Sequence, residues 1–365
     1  MRRGAWLAAT IAAGCALAVA GCGDDDSSGG SGSSGGGGGD KPGKVAVLLP
    51  DSKSSVRWET VDRPFLQKAF EAAGVEVEIQ NAEGDKATQQ QQAEQAITNG
   101  AKVLLLVNLD SGSGAAIAAN AKSQGVKVID YDRLTLKGDS DYYVSFDNEK
   151  VGQLQGQGLV DCIGDKQNAQ IAVLNGSPTD NNATLFKKGY DSVINPKFKA
   201  GEWTEVADQS VPDWDNQKAL TIFEQMLQKA DNKIDGVLAA NDGLGNAAIS
   251  ALKQRKLPQI PVTGQDATLQ GIQNIVAGDQ CMTVYKAIKK EADAAAKLGI
   301  ALAKGETPEA PDSINNGTKD VPSVFLDPVA VTKDNIKDYL GEPDFPKKEE
   351  ICAGKLADAC TEIGL

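Results

Sequence analysis

Residues 126–152, VKVIDYDRLTLKGDSDYYVSFDNEKVG, decide the fold of this 365-residue chain. The apolar run 126–131 predicts a strand, and Asp132 and Arg133 follow it directly. Open α/β sheets bind their ligands at the carboxyl edge of the strands, so this acid and base are placed to contact one ligand. The simpler alternative is that Asp132 and Arg133 pair with each other on the surface.

The pattern around this stretch predicts two parallel, doubly wound sheets, because short apolar strands alternate with amphipathic helices. The first unit has predicted strands at 45–50, 75–80, 103–109 and 126–131, with helices at 65–73, 87–98 and 115–124. The second has helices at 151–162, 183–194, 217–229, 245–253 and 269–277, with strands at 169–175, 202–207, 236–240 and 260–264. Later pieces are a strand at 281–286, a helix at 287–303, a strand at 321–331 and a short helix at 334–339. Several chain crossings between two lobes would explain these later pieces, and a cleft between lobes is a favoured ligand site.

The composition excludes several classes of protein. The formal charge of -13 argues against a nucleic-acid partner, because phosphate binding needs clustered Lys and Arg. The chain has no histidine, which excludes Ser-His-Asp and Cys-His catalysis and every His-ligated metal site. We therefore expect no metal and no cofactor.

Residues 1–21 have the pattern of a lipoprotein signal peptide: Arg2 and Arg3, a short apolar run and small residues before Cys22. The apolar run is too short to span a membrane comfortably. We expect Cys22 to become the acylated first residue, so that the protein is extracytoplasmic and anchored to the cell membrane by lipid alone. The alternative is an ordinary secretory signal with an incidental cysteine. Residues 22–43, rich in Gly, Ser and Asp, predict a flexible tether.

Four further cysteines lie in the expected mature chain: Cys162, Cys281, Cys352 and Cys360. An extracytoplasmic location permits disulfides. The simplest pairing joins Cys352 to Cys360, since they are close in sequence. Cys162 would then pair with Cys281, but the sequence alone does not fix the connectivity. A four-cysteine zinc site is the alternative, although paired C-x-x-C spacing is missing.

The residues just beyond the predicted strands are mostly acids, amides, cations and tryptophans. They are Arg57, Trp58, Asp62, Arg63, Asp132, Arg133, Asp180, Asn181, Asn182, Asp213, Trp214, Asn241, Asp242, Gln265, Asp266, Tyr285 and Lys286. Carboxylates, amides and guanidinium groups bind hydroxyls in pairs, and flat rings cover C–H faces, so the set suits a sugar. Each has a structural alternative: Asp180 as a helix cap, Trp58 and Trp214 as core, Asn241 as a turn residue. No phosphate-binding loop is present.

Several motifs carry a resemblance to a known family: YDR (131–133), VSFDNEKVG (144–152), GSPTDNNA (176–183), GQDA (264–267) and MTVYK (282–286). Together they resemble the D-xylose-binding proteins of bacterial ABC importers, within the type I periplasmic sugar-binding family. The likeness runs from about Lys44 to Tyr339 and implies two lobes joined by three hinge strands. In residues 56–63 the chain departs from the family's spacing by one extra residue.

The resemblance implies a first lobe of 44–147 and 286–320, a second lobe of 148–285 and 321–340, and a tail at 341–365. From the strand-end residues the resemblance selects ten that contact a monosaccharide, D-xylose above all: Arg57, Asp132, Arg133, Asp180, Asn182, Trp214, Asn241, Asp266 and Lys286, with Trp58 as an addition. The expected partner is an ABC permease, and we expect a monomer. Rivals are another pentose, a hexose or a sugar-derived signal as ligand, a glycosidase using Asp132 and Asp266, and a sugar-responsive transcription regulator.

Overall fold

The computed structural model describes residues 42–365. The expected signal peptide 1–21, the lipid-bearing Cys22 and most of the tether 22–43 lie outside the described residues.

The described chain alternates strands and helices throughout. Its strands are β1 (Lys44–Leu49), β2 (Val77–Asn81), β3 (Ala101–Leu106), β4 (Lys127–Tyr131), β5 (Tyr142–Phe146), β6 (Ala169–Asn175), β7 (Trp203–Ser210), β8 (Gly236–Ala239), β9 (Met282–Tyr285), β10 (Asp312–Asn315), β11 (Asp320–Leu326) and β12 (Val329–Thr332). Its helices are α1 (Arg63–Ala72), α2 (Lys86–Thr98), α3 (Ser111–Ser123), α4 (Asn148–Ile163), α5 (Asn181–Lys199), α6 (Asn216–Lys229), α7 (Asp242–Gln254), α8 (Leu269–Ala277), α9 (Ile288–Ala303), α10 (Lys348–Ile351) and α11 (Ala357–Glu362). Short helical turns lie at Trp58–Asp62, Pro212–Trp214, Ile336–Tyr339 and Gly354–Leu356.

The first lobe is a seven-stranded sheet in the order β10-β11-β5-β4-β3-β1-β2, parallel except for the β10–β11 pair. Alternate residues of β1 belong to two separate cores. Val45, Val47 and Leu49 pack with residues of α1 and α9, whereas Ala46 and Leu48 pack with residues of α2 and α3. A continuous apolar strand is what a sheet covered by helices on both faces requires.

The second lobe is built on the parallel strands β7-β6-β8 and the antiparallel pair β9–β12. The segment after α7 links them, since the Val237 amide bonds the Pro261 carbonyl at 2.9 Å and the Cys281 amide bonds the Val262 carbonyl at 2.9 Å. The predicted strand 260–264 is therefore only a single bridge, Val237 to Val262. Pro261 has no amide hydrogen, which limits the ladder this segment can form.

The predicted strand 321–331 is wrong as one element. β11 pairs with β5 in the first lobe, and β12 pairs with β9 in the second. The chain changes lobes at Asp327-Pro328, where proline lacks the amide hydrogen needed to continue a ladder. The expected boundary at 320/321 consequently falls inside β11, after its first residue, whereas the crossing follows the strand.

Two disulfides join Cys162 to Cys281 and Cys352 to Cys360. The first links the end of α4 to the start of β9 in the second lobe. The second lies in the tail, whose buried Phe345, Ile351 and Cys360 pack in one cluster with residues of α8.

The doubly wound α/β organisation predicted from the sequence is confirmed. Two parallel-sheet lobes are joined by three crossings, from β5 to α4, from β9 to α9 and from β11 to β12. Over residues 42–365, every helix is too short or too polar to cross a membrane.

Removing the two disulfides separately should destabilise the protein unequally. In the chain-entropy model a cross-link over 119 residues contributes about 5 kcal/mol and one over 8 residues about 2.5 kcal/mol. We expect Cys162→Ala/Cys281→Ala to lower the free energy of unfolding more than Cys352→Ala/Cys360→Ala, as measured by urea titration. Equal losses would contradict the loop-length explanation.

Candidate functional site

The cleft between the lobes contains a small cavity at the carboxyl ends of the strands. The first lobe contributes Ser54, Ser55, Arg57, Trp58, Asp132 and Arg133. The second lobe contributes Asp180, Phe186, Trp214, Asn241, Gln265 and Asp266, and Lys286 comes from the crossing between β9 and α9. Nine of the ten residues predicted from the sequence line this cavity, and the tenth, Asn182, bonds to one of them.

Arg57 organises the first-lobe wall through three buried carboxylates. Its Nε and Nη2 donate to the two oxygens of Asp62 at 2.9 and 2.8 Å. Nη1 donates to Asp132 at 2.9 Å, and Nη2 also donates to Glu291 of α9 at 2.8 Å. The guanidinium lies over the ring of Trp58, 4.3 Å from its centroid, which adds a cation–π contact. The Arg57 guanidinium thus holds three parts of the chain together: the helical turn Trp58–Asp62, the end of β4 and α9.

Three carboxylates around one guanidinium cannot all be ionised at low cost. Burial raises the pKa of Glu291 to about 8, and the negative charge of Asp132 adds to the effect although Arg57 opposes it. Burial would also raise the pKa of Asp132, but Arg57 and Lys286 hold it below its ordinary value. At neutral pH the proton therefore resides on Glu291, and Asp132 is the anion that faces the cavity.

Asp132 also joins the two lobes. Its φ is 62°, a left-handed conformation that carries strain in a non-glycine residue. Ser145 Oγ and Tyr143 Oη donate to its carbonyl at 2.8 and 3.1 Å. Across the cleft, Asn182 Nδ2 donates to the same carbonyl at 2.9 Å and to the carboxylate at 3.1 Å. Ser145 and Tyr143 thus hold the Asp132 backbone within the first lobe, and Asn182 adds contacts that exist when the lobes are closed.

Asp180 is the matching acid on the second lobe. It caps α5, and its other oxygen accepts a hydrogen bond from Trp214 Nε1 at 3.0 Å. The same oxygen lies 3.1 Å from Arg133 Nε of the first lobe. Trp214 is buried, packs edge-on to Phe186 and has a φ of 55°. The structural roles considered for Asp180 and Trp214 are therefore real, and the same residues still line the cavity.

The loop that carries Gln265 and Asp266 is held by the buried carboxylate of Asp242. This carboxylate accepts hydrogen bonds from the Thr268 amide at 2.8 Å and from Thr283 Oγ1 at 2.8 Å. Asp266 itself has a φ of 95°, and its amide donates to the Val284 carbonyl at 2.9 Å. Burial raises the pKa of Asp242 to about 6. A packed polar network thus fixes the conformation of Asp266.

Lys286 lies between the lobes. Its Nζ is 3.3 Å from Asp266 Oδ1 of the second lobe and 3.9 Å from Asp132 Oδ2 of the first. Its side chain is almost completely buried. Asn241 completes this side of the cavity: its Oδ1 caps α7 by accepting from the Leu244 amide at 2.9 Å, which leaves its Nδ2 as a donor.

The ten predicted contacts leave out several residues of the site. Gln265 is buried in the cavity wall, and its Oε1 has no hydrogen-bond partner. It was among the strand-end residues beside Asp266, but the family resemblance did not select it. Asp62 and Glu291 support the site from behind, and Glu291 lies 234 residues from Arg57, which no local pattern reveals. Within residues 42–365 no group of carboxylates or thiols is arranged to hold a metal ion.

Comparison with known proteins gives a consistent result. Residues 45–307 match the model of the family described as periplasmic binding protein domain. The chain is 40% identical to the D-xylose-binding periplasmic protein of Escherichia coli (strain K12), over 85% of this chain and 93% of that protein. It is 42% identical to the D-xylose-binding periplasmic protein of Haemophilus influenzae, over 81% of this chain and 88% of that protein. The structure resembles a carbohydrate transporter solute binding protein from Chloroflexus aurantiacus in complex with D-glucose, with a TM-score of 0.79, 32% identity and coverage of 84% and 97%.

The retained proton on Glu291 predicts a specific pH dependence. Because its folded-state pKa lies above the ordinary value of 4.5, this group's contribution to stability is full below pH 4.5 and is lost as the pH rises towards about 8. Glu291→Gln, which keeps a neutral side chain of the same shape, should lose less stability than the wild type between pH 5 and pH 8, by on the order of 2 kcal/mol. Urea titrations at both pH values measure this, with the exposed Glu306→Gln as control. Parallel pH curves for wild type and Glu291→Gln would contradict the assignment.

Proposed function

The chain belongs to the periplasmic binding protein domain family, and from that premise we propose that it captures one monosaccharide, D-xylose, in the interlobe cleft and delivers it to an ABC permease. We propose further that Cys22 carries the lipid that anchors it, as an extracytoplasmic monomer, to the cell membrane. The observation that carries the sugar proposal is the closed cavity itself. It brings carboxylate, carboxamide, guanidinium, ammonium and indole groups from both lobes around one space.

The chemistry of this wall supports a neutral polyhydroxylated ligand. Charged groups bind hydroxyls strongly, and Trp58, Phe186 and Trp214 offer flat apolar surfaces for C–H faces. The site's cations are already paired with its acids, so no isolated positive charge awaits a phosphate or carboxylate ligand.

The site binds and does not catalyse in this proposal. Glycoside hydrolysis needs one carboxylic acid that donates a proton and one carboxylate. Asp132 is held as an anion by Arg57 and Lys286, and Lys286 also lies beside Asp266. The acid that retains its proton, Glu291, is completely buried behind Arg57 and does not line the cavity. The relatives and the structural neighbour named above are likewise binding proteins.

Capture follows from the arrangement of lobes and crossings. Arg133, Asp180 and Trp214 line both the inner cavity and a second pocket beside it, and Arg133 pairs with Asp180 across the lobes. A sugar that bonds both walls stabilises the closed arrangement by its differential affinity for that state. Opening about the three crossings would break the Arg133–Asp180 and Asn182–Asp132 contacts and release it. A permease can distinguish the two states by the relative position of the lobes.

D-glucose is the second candidate ligand, because the structural neighbour from Chloroflexus aurantiacus was solved with that sugar. The two D-xylose-binding relatives are more similar in sequence, at 40% and 42% against 32%. This difference is why the proposal names the pentose.

A thermal-shift panel of D-xylose, D-ribose, D-glucose and D-galactose tests the choice of ligand. A ligand at about 100 times its Kd stabilises the native state by about 2.7 kcal/mol, which corresponds to roughly 5 °C in Tm for a chain of this size. We expect the largest increase with D-xylose. A larger increase with D-glucose would reassign the ligand, and the absence of any increase, confirmed by calorimetry, would overturn the sugar proposal.

Asp266→Asn should weaken D-xylose binding by roughly 2 kcal/mol, or about 30-fold in Kd, because it removes a charged acceptor while its side chain still tolerates the positive φ. Isothermal titration calorimetry measures the change. The control is Asp213→Asn, whose carboxylate is exposed and pairs with Lys218 outside the inner cavity. Equal affinity of Asp266→Asn and Asp213→Asn would remove Asp266 from the sugar site.

A further inference from the structure

The C-terminal tail, residues 341–365, is fixed to the second lobe. Ile351 and Cys360 are buried with Ile272 and Ile275 of α8 in one apolar cluster. The Cys352–Cys360 disulfide closes the tail on itself. Gln273 Nε2 of α8 donates to the Glu350 carbonyl at 2.9 Å. The tail is therefore a rigid part of this lobe.

Asp344 of the tail holds both ends of the crossing between β9 and α9. Its Oδ1 accepts a hydrogen bond from Tyr285 Oη at 2.7 Å, at the end of β9. Its Oδ2 accepts from the Lys289 amide at 3.2 Å, in the first turn of α9. Ala287, at the N-cap position of α9, has no side chain able to cap the helix, so Asp344 supplies an acceptor that the crossing itself lacks.

Aromatic packing strengthens the contact between the tail and the crossing. The ring of Phe345 lies edge-on to Tyr285, with centroids 5.3 Å apart, and Tyr339 lies 5.5 Å from Tyr285. Tyr285 is 4% exposed, so its hydroxyl has little alternative solvation. The hydrogen bond to Asp344 therefore has both a buried donor and a fixed acceptor.

Lys286 lies between the two positions that Asp344 holds. Its Nζ contacts Asp266 of the second lobe at 3.3 Å and is 3.9 Å from Asp132 of the first. The position of a lysine ammonium group depends on the position of the backbone that carries it. A displacement of about 1 Å is enough to impair a binding site. Neither Asp344 nor Phe345 lines the sugar cavity.

We propose that Asp344 is a positioning residue for the ligand site: it fixes the crossing 285–289 so that Lys286 Nζ lies between Asp132 and Asp266. Monosaccharide affinity then depends on a tail residue that touches no ligand. This inference rests on the proposed sugar-binding function.

The test compares Asp344→Ala with Asp358→Ala, an exposed acid of the same tail, in the full-length chain. Calorimetry with D-xylose gives Kd, stopped-flow displacement gives the dissociation rate, and urea titration without sugar gives stability. We expect Asp344→Ala to raise Kd about 10-fold, mostly through faster dissociation, and Asp358→Ala to change it less than twofold. Loss of stability with an unchanged Kd would assign Asp344 a purely structural role and overturn the inference.

A double-mutant cycle tests the route through Lys286. In a Lys286→Gln background, Asp344→Ala should change Kd less than twofold, because the group that it positions is gone. Equal fold-changes in wild-type and variant backgrounds would overturn the inference.

The outcomes separate this inference from the function on which it rests. A wild-type protein that binds no sugar of the panel would overturn the proposed function and the inference together. Sugar binding that is equally tight in wild type and Asp344→Ala would overturn the inference alone.

Discussion

The cleft depends on the guanidinium of Arg57. It is buried, and its donors are shared among Asp62, Asp132 and Glu291, which come from a turn, a strand end and a helix far apart in the sequence. Desolvating four ionisable groups is costly, and a buried ion cluster is weak evidence of stabilisation. Its value here is geometric, because each N–H fixes one acceptor direction. Only the Asp132 carboxylate among these acids faces the cavity, and the others hold Arg57 in place.

Strain is concentrated at the same place. Asp132, Trp214 and Asp266 all have positive φ, and all three line the cavity. Such conformations cost on the order of 1–3 kcal/mol each and persist only where the surroundings enforce them. Hydrogen bonds hold each of these residues. Ser145 and Asn182 bond to Asp132, Asp180 bonds to Trp214, and the Val284 carbonyl bonds to Asp266. The two cores therefore maintain a site whose local backbone is unfavourable.

Much of the fold and of the site's first layer follows from the sequence, because apolar strands such as β1 end where parallel strands meet their ligands. Strand-end position gave a longer list of polar residues, and the family resemblance selected ten of them, of which nine line the cavity. The remainder depended on long-range contacts. In the sequence, Glu291 resembles any other polar residue of an amphipathic helix. Only the packing of α9 shows that it faces Arg57. Gln265 was one strand-end amide among several. Pro328 could have indicated the end of a strand, but the apolar residues on both sides of it favoured a single strand. Only the strand pairing shows that these residues belong to different sheets.

The late position of β11 has a consequence for how the chain acquires its structure. β11 covers one side of β5, yet β11 comes at Asp320–Leu326, after most of the second lobe has been synthesised. Until those residues emerge from the ribosome or the secretion channel, β5 is an open edge strand with apolar residues on both faces, a form prone to pairing with other chains. The sheet of the first lobe therefore cannot be completed until β11 has been synthesised, so the two lobes cannot fold one after the other from the N-terminus. Passage across the membrane as an unfolded chain, followed by folding once the C-terminal third has arrived, suits this topology better than stepwise folding from the N-terminus.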